Sequence, residues 1–235
     1  MWTKLETFFE AVFPPHCASC GRAGATVCAT CQNGAEWITP PVCQQCGGFI
    51  PLQNKYTICY NCYKHTPTIT RVRAAAWLTA PVRPIIHQFK YNGKTRLAHP
   101  LADLLIDRWP LWQIDVDMIV PIPLHPEREQ ERGFNQSHLI ADPFAESVGI
   151  PLETEAVFRV RATRQQAELS SIDRRKNVAG AFQANGKLVR EQKILLIDDV
   201  VTTGSTLNAA GEALYKAGAE SVSAYCVARA YPKTS

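Results

Sequence analysis

Two adjacent carboxylates, Asp198 and Asp199, stand where an apolar run gives way to a polar one. The four apolar residues 194–197 predict a buried strand, with the acids at its carboxyl end. Ligands of open α/β sheets bind outside the carboxyl ends of the strands. Carboxylates at that position suit the hydroxyl groups of a sugar or a hydrated Mg²⁺. We therefore expect a ligand with a diol to bind here.

The segment after the acid pair predicts an anion site. It consists of Thr202, Thr203, Gly204, Ser205 and Thr206. Apolar residues then recur at helical spacing from Leu207 to Ala217, so this short loop opens a helix. Hydroxyl groups and the free N–H groups of a helix N-terminus bind phosphate. A phosphate beside a diol describes a ribose 5-phosphate. The alternative is simple helix capping, but one cap needs one residue, whereas here the whole segment is polar.

Eight of the nine cysteines fall in four C-x-x-C pairs. The pairs are Cys17/Cys20, Cys28/Cys31, Cys43/Cys46 and Cys59/Cys62. Each pair can direct two thiolates to one Zn²⁺, so the four pairs predict two all-thiolate structural sites. Glycine follows the first and third pairs, which favours sequential pairing, with residues 17–31 holding one ion and residues 43–62 the other. An interleaved arrangement of the pairs stays open.

Other uses of clustered cysteines fit this chain less well. A disulfide scaffold needs an oxidising compartment, and no export signal accompanies the cysteines, so we expect a cytoplasmic protein. A thioredoxin-like pair needs a surrounding strand–helix unit, which the sequence does not predict. An iron–sulfur cluster stays a lesser alternative. Cys226 lies in an apolar run and is expected to be ordinary core.

The regular elements that must position these groups begin near residue 71. Apolar strand-like runs at 74–78, 118–123, 194–197 and 222–227 alternate with helical stretches, one of them marked by Leu97, Leu101, Leu104 and Leu105. This alternation predicts an α/β fold with a mostly parallel sheet and flanking helices. The Cys-rich segment 17–66 cannot build a large core alone, and residues 1–16 predict a short helix docked on the core.

The composition excludes several classes of protein. Hydrophobic residues make up 46% and charged residues 20% of the 235 residues, which is typical of a globular protein rather than a disordered one. No apolar run is long enough for a membrane span. The net charge of +4 is too small to demand a nucleic-acid partner.

The segment from Ile194 to Leu207 resembles the phosphoribosyl-pyrophosphate motif of type I phosphoribosyltransferases. Over nearly its full length, the chain resembles the competence protein F (ComF/GntX) family, which joins a double zinc ribbon to such a domain. Further stretches that carry the match are 89–91, 120–124, 132–136, 174–178 and 181–182. After the helix that apolar spacing predicts at 1–16, the changes in composition and the resemblance together predict a double zinc ribbon at 17–66 and a phosphoribosyltransferase-like domain at 70–235.

The resemblance also implies roles for individual residues. Asp198 and Asp199 would face the ribose hydroxyls, and residues 202–206 would wrap the 5′-phosphate. The loop after the second strand, at Leu124 and His125, would hold pyrophosphate and Mg²⁺ through backbone amides, with Arg132 helping to neutralise the charge. A buried ion pair at both acids, with the adjacent turn filled by protein, would contradict these roles.

Two functions from different classes follow. The first is a phosphoribosyltransferase that uses phosphoribosyl pyrophosphate with Mg²⁺ and an unknown nitrogen acceptor. The alternative is a single-stranded DNA-handling protein of DNA uptake, working with other uptake proteins and keeping the pocket as a sensor site. Its surface would be the basic residues of 159–176 and aromatic rings at Tyr56, Tyr60, Tyr63 and Phe134, although we expect these rings to pack within the ribbon or the core. A decayed scaffold is disfavoured because two adjacent carboxylates repel each other and have little use without a ligand.

Overall fold

The computed structural model describes residues 14–53, 55–162 and 178–231. The predicted N-terminal helix at 1–16 falls almost entirely outside these residues. The same holds for most of the basic segment 159–176, including Arg164, Arg174, Arg175 and Lys176. These predictions stay untested.

A four-stranded parallel sheet forms the centre of the protein. Its strands are β1 (Arg71–Trp77), β2 (Met118–Pro121), β5 (Lys193–Val201) and β6 (Ser221–Arg229), in the order β1-β6-β5-β2. A separate antiparallel pair joins β3 (Val157–Arg159) to β4 (Phe182–Ala184). The strands of the parallel sheet are almost wholly buried, which matches their continuous apolar sequences. The predicted parallel α/β fold is confirmed.

The helices are α1 (Ala29–Asn33), α2 (Tyr60–Lys64), α3 (Val82–Tyr91), α4 (Ala98–Trp112), α5 (Pro126–Arg132), α6 (Gln136–Val148), α7 (Gly186–Val189) and α8 (Ser205–Lys216). Two of them, α1 and α2, lie in the Cys-rich segment before the first strand, and the others follow β1 along the chain. A single 3₁₀ turn, Thr95–Leu97, precedes α4. Across the described ranges, no helix combines the length and the apolar character needed to span a membrane.

Helices lie on both faces of the sheet, as its last strand shows. Tyr225 of β6 donates a hydrogen bond of 2.9 Å to the carbonyl of Leu105 in α4. Val222, three residues earlier on the same strand, lies against Gly211 of α8. Because successive side chains of a strand point to opposite faces, α4 and α8 cover opposite faces.

The Cys-rich segment is docked along the free edge of β1. Trp37 bridges Ala76 in antiparallel fashion, and the Ile38 amide donates to the Ala75 carbonyl at 3.0 Å. Further along the strand, the Val72 amide donates to the carbonyl of Gln45 at 2.6 Å. These bonds occupy backbone groups that an edge strand otherwise exposes. The domain limits 17–66 and 70–235 stay a prediction, since the two parts share backbone hydrogen bonds.

Candidate ligand site and metal centres

The cysteine sulfurs gather into two groups of four. One comprises Cys17, Cys20, Cys28 and Cys31, the other Cys43, Cys46, Cys59 and Cys62, and the Sγ atoms of each group lie within 4.8 Å of one another. The Cys20 and Cys28 sulfurs are 3.7 Å apart, as are those of Cys46 and Cys59. A tetrahedral Zn²⁺ with bonds of about 2.3 Å would separate its sulfurs by about 3.8 Å. The residues therefore fit two structural zinc ions, and the sequential pairing is confirmed.

Backbone amides orient the thiolates in both groups. The Cys28 amide donates to Cys17 Sγ at 3.4 Å, and the Cys59 amide donates to Cys43 Sγ at 3.3 Å. The turn after Cys46 needs glycine, because Gly47 has φ +70° and a Cβ there would meet the Val72 carbonyl oxygen at 2.5 Å. The second metal centre is therefore pressed against β1, and its four thiolates leave no open position for catalysis.

The acid pair lies inside β5 rather than after it. The sequence predicts the strand over 194–197, whereas the structure continues it through Asp198 and Asp199 to Val201. The register explains the extension, since Asp198 pairs with Cys226 and Val201 with Arg229 of β6. The acids therefore lie on a fixed strand backbone, and the polar loop begins at Thr202.

Asp198 is buried and hydrogen-bonded. Its Oδ1 accepts a hydrogen bond of 2.9 Å from Ser137 Oγ and another of 2.9 Å from the Asp199 amide. Ser137 is placed by the N-terminus of α6, where Asn135 caps the helix by accepting from the Ser137 amide. Burial and the neighbouring Asp199 raise the pKa of Asp198 to about 7.

Asp199 is held in a buried ion pair. Its Oδ2 lies 2.6 Å from Lys90 Nζ, and its side chain is only 3% exposed. Lys90 belongs to the last turn of α3. A buried ion pair at both acids would have contradicted the proposed ribose site. Asp199 is in such a pair, whereas Asp198 is hydrogen-bonded to Ser137 instead. The sequence draws attention to Lys90 only as part of the stretch 89–91, because no local pattern indicates its partner.

The loop after β5 is open, as a phosphate site requires. Thr202 and Thr203 are exposed, and Gly204 has φ +74° at the N-cap of α8. Ser205 is buried, with its Oγ 2.8 Å from Thr203 Oγ1, and Thr206 is partly buried. The adjacent turn is therefore not filled by protein. Residues 202–206 join hydroxyl groups to the N-terminus of a twelve-residue helix.

A cleft of about 270 Å³ runs from this loop to the second metal centre. Thr202 and Thr203 line one end, and Cys62 and His65 line the other. The walls of this cleft come from both the Cys-rich segment and the part of the chain that carries the sheet. The docking of the Cys-rich segment on β1 brings the two parts together.

The three residues predicted to bind the ligand after β2 differ in their surroundings. Leu124 is buried, whereas His125 is partly exposed at the N-cap of α5. Arg132 lies at the end of α5, over the ring of Tyr91 at 5.8 Å, with its Nη1 2.5 Å from the amide oxygen of Gln136. Burial lowers the pKa of Arg132, and the nearby acid pair opposes this effect. Arg132 is therefore the cation of this loop that reaches toward the acids.

The aromatic rings of the second cysteine group are exposed. Tyr56, Tyr60 and Tyr63 are 75%, 70% and 81% accessible. The expectation that they pack within the ribbon or the core is therefore wrong, although Phe134 does pack, against Phe89 at 5.5 Å. Cys226 is fully buried, as expected.

Comparison with known families matches both parts of the chain. Residues 8–63 match the double zinc ribbon domain, and residues 136–234 match the phosphoribosyl transferase domain. The second match covers the acid pair, the polar loop and α8. Competence protein F of Haemophilus influenzae is 32% identical over 211 residues, spanning 87% of this chain and 90% of its own. The chain belongs to the competence protein F family.

Two further relatives show how widely the family is distributed. DNA utilization protein YhgH of Escherichia coli strain K12 is 32% identical over 86% of this chain and 90% of its own. Competence protein ComFC of Bacillus subtilis strain 168 is 26% identical over 86% of this chain and 84% of its own. Family membership thus accounts for the joined zinc ribbon and phosphoribosyltransferase-type domain.

Proposed function

We propose that the protein binds phosphoribosyl pyrophosphate, or a closely related sugar phosphate, together with Mg²⁺ at the carboxyl ends of β2 and β5. The observation that carries this proposal is the open, hydroxyl-rich loop 202–206 at the N-terminus of α8, one residue beyond the strand that holds the acid pair. Such a loop suits the 5′-phosphate, and carboxylates on the preceding strand suit the ribose hydroxyls.

The charges around the acid pair support an anionic ligand. Lys90 contacts Asp199 directly, and Arg132 lies close enough for both acids to affect its pKa. Arg159 is also within reach of the field of Asp198. One cation thus contacts the acid pair and two more lie within its electrostatic influence, and positive charge of this kind favours binding of a diphosphate. The backbone of Leu124 and His125 would contribute further donors from the loop after β2.

We propose that this site transfers ribose 5-phosphate to a nitrogen acceptor. The bond from the anomeric carbon to the diphosphate oxygen breaks, and its electron pair leaves with pyrophosphate. A bond forms from the acceptor nitrogen to that carbon, and the proton of this nitrogen passes to the departing pyrophosphate. A bound divalent cation would stabilise the charge on the leaving group. Lys90 and Arg132 would also stabilise the negative charge on the leaving pyrophosphate.

Isothermal titration tests the binding step. The wild type is titrated with phosphoribosyl pyrophosphate and MgCl₂, beside an Asp198→Asn/Asp199→Asn variant. The matched control is Asp115→Asn/Asp117→Asn, which alters two acids that contact Lys193 at the opposite end of β5. We expect the wild type and the control to bind and the site variant to bind at least tenfold more weakly. Equal binding by all three would refute the site, and no binding by the wild type would refute the function.

The exposed tyrosines favour a second function, which we propose for a different surface: contact with single-stranded DNA. The tyrosine surface consists of Tyr56, Tyr60 and Tyr63. Lys64 lies 4.7 Å from the Tyr60 ring, and the sequence has no acidic residue from 37 to 102. Exposed rings and cations are the features by which proteins stack bases and neutralise phosphates. The relatives' names, which refer to competence and DNA utilization, agree with this proposal.

Fluorescence anisotropy with a labelled oligothymidine tests this surface. Tyr56→Ala/Tyr63→Ala should weaken binding about tenfold or more, since each stacked base contributes about 1–3 kcal/mol. Leu111→Ala is the control, because Leu111 is 41% exposed but lies on α4, away from the ribbon and the basic segment in sequence. Binding that is unchanged in the tyrosine variant, or that ignores salt concentration, would argue against the proposal.

A further inference from the structure

The ion pair between Lys90 and Asp199 joins two elements that are distant in sequence. Lys90 Nζ and Asp199 Oδ2 are 2.6 Å apart, with side chains 21% and 3% exposed. Lys90 lies in the last turn of α3, which follows β1, and Asp199 lies in β5. The pair therefore links the end of α3 to β5, at the place proposed for the ribose.

In the ligand-free protein, the ion pair neutralises one of two adjacent buried carboxylates. Asp198 and Asp199 are adjacent and buried, so their charges repel each other in a region of low polarity. Ser137 supplies a hydrogen bond to Asp198, whereas Asp199 has the ammonium group of Lys90. Removing Lys90 would leave Asp199 buried without its counter-ion, which is strongly destabilising.

The same pair competes with ligand binding. The ammonium of Lys90, 2.6 Å from Asp199 Oδ2, occupies one acceptor direction of the carboxylate and neutralises the charge that a hydrated cation would bind. The two neighbours of Lys90 contact the segment after β2. Tyr91 lies under Arg132, and Phe89 packs on Phe134. The end of α3 thus touches the segment after β2, where the diphosphate is proposed. An ammonium released from Asp199 would meet an anion there.

We infer that Lys90 is a placeholder cation, which neutralises Asp199 in the ligand-free protein and exchanges it for the diphosphate when the sugar hydroxyls and a divalent cation arrive. This inference rests on the proposed function. Lys90 therefore has two contacts in turn, since it keeps the empty acid pair stable and then binds the diphosphate directly. The exchange also makes binding selective, because a ligand without a diphosphate breaks the pair and offers the lysine no new partner.

Thermal unfolding with Mg²⁺ alone tests the placeholder role. Lys90→Met is compared with wild type and with Lys193→Met, in which an exposed pair with Asp115 of 2.7 Å is lost at the other end of β5. At constant ionic strength, MgCl₂ should raise the melting temperature of Lys90→Met by several degrees. It should have little effect on the other two, in which Lys90 is present. Equal shifts in all three proteins would overturn the inference.

A double variant without either charge controls for the case in which Lys90→Met does not fold. Lys90→Met/Asp199→Asn removes both charges, so it should fold and show no response to Mg²⁺. If Lys90→Met stays unfolded at every Mg²⁺ concentration while this double variant folds, a cation cannot replace the lysine and the inference is wrong. Folding of Lys90→Met only when Mg²⁺ is added supports it.

Ligand selectivity separates this inference from the proposed function. We expect Lys90→Met to bind phosphoribosyl pyrophosphate at least tenfold more weakly than wild type but ribose 5-phosphate equally well or better. A merely structural lysine would weaken both ligands to the same degree, which would overturn the inference. If the wild type binds neither ligand, the proposed function fails, whereas the Mg²⁺ response of Lys90→Met still tests the placeholder role.

Discussion

The guanidinium of Arg229, the last residue of β6, donates a hydrogen bond to the backbone carbonyl of Cys46. Cys46 belongs to the second metal centre, so the end of a central strand contacts the zinc ribbon directly. Arg73 of β1 makes a similar connection, because its Nη1 donates to the carbonyls of Gln44 and Cys43 at 3.1 and 3.3 Å. Two strands of the sheet therefore fix the second metal centre, and the cleft lies between them and α8.

Arg73 should contribute to the stability of the whole protein. Its side chain is buried, and Arg73→Met would remove the hydrogen bonds that it donates to the carbonyls of Cys43, Gln44 and Val72. We expect a loss of about 2–3 kcal/mol in the free energy of unfolding, measured by urea denaturation of the zinc-loaded protein. Arg83→Met is the control, because Arg83 is exposed on α3. A loss no larger than that of the control would show that the ribbon is not anchored through Arg73.

Zinc content distinguishes sequential from interleaved ligand sets in solution. The purified protein should hold two zinc ions, as measured by inductively coupled plasma mass spectrometry. Cys20→Ser/Cys28→Ser damages only the first group, so it should retain one ion. Interleaving of the first pair with the third and the second with the fourth would place these cysteines in different sites. Loss of both ions would therefore contradict the arrangement described above.

The contact between α8 and the linker before β1 should tolerate no added volume. A Cβ at Gly211 would lie 2.2 Å from Cγ2 of the buried Ile69. Gly211→Ala should therefore destabilise the protein by about 1–3 kcal/mol, measured by urea denaturation. Adding Ile69→Ala should cost less in the Gly211→Ala background than in wild type, because it relieves the overlap. Additive losses in the double-mutant cycle would contradict a direct clash.

The stability of the protein should depend on the charge of Asp198. Its pKa is raised to about 7, against about 3.9 in an unfolded chain. Between these values the native state binds the additional proton, so the contribution of Asp198 to stability falls as the pH rises from about 4 to about 7. Asp198→Asn, whose amide oxygen can still accept from Ser137, should be more stable than wild type at pH 8 by at least about 1 kcal/mol.

Melting curves of Asp198→Asn at pH 5 and pH 8 check this prediction. The difference from wild type should be larger at pH 8, where the buried carboxylate is charged in the wild type. The exposed acid Asp115 provides the control through Asp115→Asn. A variant that is less stable than wild type at pH 8 would mean that the charge of Asp198 is compensated more fully than its surroundings indicate.

Local patterns predict much of this molecule. The C-x-x-C spacing is enough to predict the metal ligands. The apolar run 194–197 and the polar segment that follows it predict the strand, loop and helix of the candidate site. The long-range contacts have no such signal. The pairing of Lys90 with Asp199, and the docking of Ile38 and Gln45 on β1, join segments that no periodicity connects. The exposure of the three tyrosines has no local signal either, because it depends on which other elements pack against the ribbon.

Phosphorus NMR of phosphoribosyl pyrophosphate with MgCl₂ and stoichiometric protein tests the central claim most directly. If the loop and the acid pair bind this ligand, the 5′-phosphate and both diphosphate signals broaden or shift with the wild type. The 5′-phosphate signal should keep its free position with a Thr203→Val/Ser205→Ala variant of the loop. Three signals that keep their free positions and widths in the presence of the wild type would contradict the proposed site.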